Sequence, residues 1–266
     1  MNPLAFSTLG CPDWSWEQIV SAATAYGYDA IELRGLQNHL EDLPDAPSFT
    51  AANRADARRQ LDDAGLCVCC VSSSGVVAKK NVDHVRAHAS LARDLGCPLV
   101  RVFGGGLDPG LPRGDALFQA AESLRAFGDA AADEGVALVL ETHDAFSTGK
   151  QVAELLTLAA HPAVYALWDL HHPFRQGEAP EGTHHYLGSA LRHVHVKDGR
   201  PGGAYTLMGE GDVPLPALLD LILDGGYSGA ISLEWEKRWH PEIADPEVAF
   251  PQYAQALRAY LDNRNG

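Results

Sequence analysis

Eight short apolar runs, each followed by an amphipathic stretch, pace the chain at intervals of roughly 30 residues. This rhythm limits the fold more than any other feature. The runs are LAFSTLG (4–10), DAIELRG (29–35), LCVCCVSSSG (66–75), LVRVFGGG (99–106), VALVLETHD (136–144), VYALWDLHH (164–172), HVHVKDG (193–199) and GAISLEWE (229–236). Each is too short to stand as a helix, and most are rich in β-branched residues, so they read as strands. Between them, WSWEQIVSAATAYG sets Ile19, Ala22 and Ala23 on one helical side. DALFQAAESLRAFGDAAADEG does the same with Leu117, Ala121 and Leu124 and stops at Gly135, a helix-ending residue. VPLPALLDLILDGGY holds Leu218, Leu219, Ile222 and Leu223 at helical spacing, with Pro214 and Pro216 in the first turn, where a missing N–H does little harm. A last helix is expected over about 246–262. Eight strand–helix pairs predict an α/β fold, a (β/α)8 TIM barrel built as a single domain over 1–266. An open doubly wound sheet, the main competitor, usually has fewer strands.

The 266 residues suit one such barrel, and 46% apolar residues supply its core. A formal charge of −15 repels phosphate backbones and argues against nucleic acid as a partner. No run of about 18 apolar residues predicts a membrane span. MNPLAFSTLG has no basic segment followed by an apolar run, so no signal peptide is expected. The five cysteines (Cys11, Cys67, Cys69, Cys70, Cys97) are odd in number and lack zinc-knuckle spacing. They read as reduced core residues of a cytoplasmic protein.

In a barrel, functional groups belong at the C-terminal strand ends, pointing inward. The second half of the chain supplies them. The fifth run ends in Glu141 with His143 two residues on, and the sixth in Asp169. In the seventh, His193, His195 and Lys197 alternate on one face; in the eighth, Glu234 and Glu236 do. The inward positions below are small: Ala137 under Glu141, Ala230 and Ser232 under Glu234. Four consecutive strands thus each offer a ligand, two glutamates, an aspartate and a histidine. Three carboxylates in one mouth repel each other, and a divalent cation removes that conflict. Hard oxygen ligands favour Mn2+ or Mg2+, while the imidazole also admits Co2+ or Zn2+. For any one of these residues alone, a solvated or helix-capping acidic loop end is an equally good account.

LETHD, WDLHH, HVHVKD, GEGDVP and SLEWE, in this order, resemble the xylose-isomerase-like barrel superfamily, specifically its sugar phosphate isomerase/epimerase group. The resemblance implies that Glu141, Asp169, His195 and Glu234 bind one divalent metal ion. It implies that Glu141 and Glu234 exchange a proton with a sugar or cyclitol carbon beside a carbonyl, through an enediolate, giving epimerisation or isomerisation. His172 would reach a substrate oxygen, Lys197 or His143 could do likewise, and Glu32 touches substrate or pairs with a base. His171 reads as structural. A homo-oligomer is a further expectation from the resemblance. Two features pull elsewhere. Ketose 3-epimerases of the superfamily carry an arginine shortly after the strand-seven histidine, where this chain has Lys197 and Arg200. Inosose dehydratase-like lyases share the first proton abstraction, so a metal-dependent dehydratase is the alternative. The endonuclease IV branch needs histidines ending strands three and four and an Asp-x-His after strand seven; this chain has SSSG, FGGG and no such motif.

Arg34 closes the second run, Arg101 lies in the fourth facing either way, and Gly104–Gly106 reads as a turn or an anion cradle. GEGDVP is expected to close over the mouth. Trp14 and Trp16 could line a sugar face or pack into the core.

Overall fold

The computed structural model describes residues 2–200, 202, 203 and 205–265. Eight parallel strands close on themselves: β1 Leu4–Ser7, β2 Ala30–Leu33, β3 Cys67–Val76, β4 Leu99–Phe103, β5 Ala137–Glu141, β6 Val164–Asp169, β7 Leu191–Val196 and β8 Ile231–Leu233. β1 pairs with both β2 (Phe6 opposite Ile31) and β8 (Phe6 opposite Leu233), which seals the ring. Helices α1 Trp16–Tyr26, α2 Arg54–Ala64, α3 Val82–Leu95, α4 Arg113–Asp133, α5 Gly149–Ala159, α6 His171–Arg175, α7 Pro180–Leu187, α8 Leu215–Asp224 and α9 Pro246–Asn265 lie between and after the strands. This is the expected (β/α)8 barrel.

The strand period of two divides the side chains into two populations. One set points outward to the helices: Leu4 and Phe6, Leu138 and Leu140, Val194 and Val196, Ile231 and Leu233, all fully buried in one continuous core. The other set fills the lower barrel with small and medium residues: Ala5, Ala30, Cys70, Leu99, Val139, Leu167 and Ala230. Because these are small, the polar residues one pleat higher can reach the axis.

The helix ends follow from local chemistry. Ser15 caps α1 in a reciprocal box with Gln18, and Gly27 leaves it at φ 77°. Gly135, at φ 75°, follows α4 as its sequence position predicts. Pro214 caps α8 and Pro216 lies in its first turn. α9 returns Phe250 to stack on Phe6 at 4.3 Å, tying the chain's last helix to its first strand. Trp16 is buried against Phe49, so it belongs to the core, whereas Trp14 is half-buried edge-on to Phe250. All five cysteines are free; Cys67 is exposed and the other four are buried. Among the described residues no helix is long and apolar enough to cross a membrane.

Candidate functional site

Glu141 ends β5, Asp169 ends β6, His195 lies in β7, and Glu234 follows β8 directly. Register brings them to one height: Asp169 stands opposite His195, and His195 opposite Ser232, two residues before Glu234. All four are buried, and one donor atom of each lies within 4.8 Å of the others. His195 Nδ1 is 3.8 Å from Glu141 Oε1, 3.8 Å from Asp169 Oδ2 and 3.4 Å from Glu234 Oε2. Asp169 Oδ2 and Glu234 Oε2 pair with the Lys197 ammonium and Glu141 Oε2 lies 3.2 Å from Arg101 Nε, but Glu141 Oε1 and His195 Nδ1 have no hydrogen-bond partner. Buried polar atoms are rarely left so. Three buried carboxylates converging on one point fit a divalent cation, and the oxygen-rich set with one imidazole is the donor chemistry such an ion takes.

Below this cluster lies Glu32, fully buried. Its Oε1 meets His195 Nε2 at 2.9 Å and its Oε2 meets His193 Nε2 at 2.9 Å. Ser232 Oγ donates to Oε2 at 2.6 Å, and Ser72 Oγ donates to Oε1. Burial alone would raise the Glu32 pKa; the charges of His195 and His193 outweigh it and hold the carboxyl well below its usual range. Glu32 therefore fixes His195 with Nε2 turned down and Nδ1 turned toward the three carboxylates.

Lys197 is fully buried above His195. Its ammonium lies 2.7 Å from Asp169 Oδ2 and 2.7 Å from Glu236 Oε1, and pairs with Glu234 Oε2 as well. Burial would lower its pKa, but Asp169, Glu234 and Glu236 push it well above the ordinary lysine value. Glu234, in turn, is opposed by burial but held well below its usual range by His195 and Lys197. Glu141 is lowered chiefly by Arg101 against the same burial penalty. His195 is raised well above its ordinary value because Glu234 and Glu32 outweigh its desolvation.

The histidines of the rim have distinct settings. His172 Nδ1 donates to the Thr142 carbonyl at 2.7 Å, which leaves Nε2 free. The His143 ring lies 4.8 Å from that of His172 and 4.6 Å from Phe103, with its Nδ1 2.9 Å from Asp144. His171 is buried, its backbone N–H donates to Asp169 Oδ1, and burial lowers its pKa to about 4.

Three features escape sequence reading. Arg101 faces inward, with its Nε 3.2 Å from Glu141 Oε2 and its guanidinium 3.8 Å above the Phe103 ring. Arg34 approaches the same ring at 6.0 Å. Burial and then Arg101's charge lower the Arg34 pKa to about 9. Asp198 organises GEGDVP: its carboxylate accepts from the N–H groups of Gly199, Gly209, Gly211 and Val213. A Cβ on Gly211 would stand 2.1 Å from Asp198 Oδ1, so only glycine fits there. The signal was present as an aspartate followed by a glycine-rich stretch.

The comparisons agree with this architecture. An inosose dehydratase of Clostridium botulinum is 26% identical over 165 residues, covering 54% of this chain and 53% of that protein; the chain spans about half the length of the curated relatives it matches. The crystal structure of the probable 3-DHS dehydratase AsbF from Bacillus anthracis superposes with a TM-score of 0.80 at 19% identity, covering 97% of this chain and 99% of that one. The structure of an L-ribulose 3-epimerase gives 0.80 at 18%, covering 99% and 95%. At these identities the two structures establish the fold. A family model described as the xylose isomerase-like TIM barrel matches residues 20–260, and the chain belongs to that family.

Proposed function

We propose that this chain is a divalent-metal-dependent enzyme that removes a proton next to the carbonyl of a sugar or cyclitol, and that it is an isomerase or epimerase. The carrying observation is the buried convergence of Glu141, Asp169, His195 and Glu234, with one donor atom of each within 4.8 Å of the others. A divalent cation held by these four side chains, Mn2+ or Mg2+ by donor hardness, would polarise the carbonyl and acidify the adjacent C–H. Glu141 and Glu234, on β5 and after β8, flank the mouth; one takes the proton and the other returns it to the opposite face or to the next carbon. Each is kept ionised by a neighbouring cation, Arg101 or Lys197. Asp169 anchors, and Glu32 holds the His195 ring. His172 Nε2 is available to a substrate oxygen, with the His143 ring 4.8 Å away, and Lys197, paired with Asp169, Glu234 and Glu236, is a further candidate for substrate contact.

A second reading, dehydration, begins with the same proton abstraction by Glu141 or Glu234 and then expels a β-hydroxyl. The similarity to an inosose dehydratase supports the same reading. A panel of ketoses and inososes in D2O with the metal-loaded protein tests the proposal. Deuterium entering a carbon-bound position supports proton abstraction; a new ultraviolet enone or diketone band assigns elimination, and its absence with exchange assigns epimerisation or isomerisation. No exchange across the panel contradicts the proposal.

A further inference from the structure

Arg34 and Arg101 are 6% and 0% exposed, yet Nη1 of Arg34 and all three nitrogens of Arg101 make no hydrogen bond. A guanidinium stays charged and carries five N–H donors in a rigid fork. Burying two of them side by side is costly, because desolvation and mutual repulsion act together. Elsewhere the chain treats its arginines differently: Arg54, Arg113 and Arg264 are each set against carboxylates. The Arg101 fork and the Arg34 guanidinium, whose Nη1 is without a partner, flank one aromatic ring, that of Phe103. On that ring also lies His143, and Arg101 adjoins Glu141. The forks therefore border the proposed metal cluster on the β2–β4 side of the mouth. Arg34 is held in place from its backbone, whose N–H donates to Thr8 Oγ1 at 2.8 Å. Glu141 offers Arg101 a single contact at Nε and leaves both Nη groups without a partner.

Resting on the reading above, we propose that Arg34 and Arg101 form an anion-binding arm, and that the substrate carries an oxyanion, carboxylate or phosphate, on the part of the molecule away from the reacting carbonyl. Two forks supply the planar, paired donors that such groups accept. The arm would select acidic polyols over neutral sugars and hold the carbonyl end over the cluster.

The test is calorimetric titration of the metal-loaded protein with D-fructose, D-gluconate, D-fructose 6-phosphate and inorganic phosphate. At least one anionic polyol is expected to bind about tenfold or more tighter than fructose. Gluconate and fructose 6-phosphate distinguish carboxylate from phosphate. Arg34→Met should erase that preference while leaving fructose binding unchanged; Arg101→Met should erase it too and also weaken fructose binding, because Glu141 loses its neighbouring cation. Because the arginines strain the empty site, Arg34→Met should melt no lower than wild type. If it fails to fold, Arg34→Lys should keep the charge and weaken the preference through loss of the fork. Equal binding of fructose and both acidic polyols overturns this inference alone, as does a preference surviving in the double variant. Absence of binding by every polyol overturns the functional reading along with it.

Discussion

Nε2 of His195 sits 2.9 Å from Oε1 of Glu32, and this contact turns Nδ1 of the same ring toward Glu141, Asp169 and Glu234. A buried carboxylate behind a ligating histidine sets both its orientation and its basicity. Glu32→Gln keeps the shape but places an N–H2 against donors. It is expected to weaken metal affinity about 10- to 100-fold, read by competition with a chelating dye.

Metal and proton compete for His195. Its pKa in the metal-free fold is raised above the ordinary value because Glu234 and Glu32 outweigh its desolvation, so folding favours the protonated ring. That protonation contributes stability fully below the unfolded histidine value, and the contribution is lost as pH rises through the raised one. Cation binding must expel the proton. Affinity is therefore expected to rise with pH, and the binding enthalpy to vary with the ionisation enthalpy of the buffer. A pH-independent affinity would show that His195 is not a ligand.

Glu234→Gln removes a proton carrier while keeping size and most packing. Loss of solvent exchange by about 10²- to 10⁴-fold is expected, with an unchanged circular dichroism spectrum. Undiminished exchange would take Glu234 out of the proton-transfer role.

Asp198 ties four backbone N–H groups of the loop that precedes α8. Asp198→Ala leaves these donors without their acceptor, and a loss of about 2–4 kcal/mol is expected. For a domain of this size that is a fall in melting temperature of roughly 5–15 °C by scanning calorimetry.

The fold was legible because each strand announces itself locally: LVLE and ALWD are apolar runs that end in an acid, and amphipathic stretches fill the intervals between strands. The cluster of Glu141, Asp169, His195 and Glu234 was legible because each is an acid or imidazole on the inward face near the C-terminal end of its strand. What stayed hidden depends on distance along the chain. Glu32 and His195 are 163 residues apart and meet only when β1 pairs with β8 and closes the ring. The inward phase of Arg101 rests on a five-residue strand whose neighbour β3 shifts register between Ser72 and Val76. Asp198 reads as part of HVHVKD until its loop folds back over it.

Elemental analysis of the purified, dialysed protein tests the central claim most directly. One equivalent of a divalent cation is predicted for the wild-type chain, and its loss in Glu141→Gln, Asp169→Asn, His195→Ala and Glu234→Gln variants that remain folded. Full metal content in those variants, or a folded wild-type chain that binds no divalent cation when Mn2+ or Mg2+ is supplied, would contradict it.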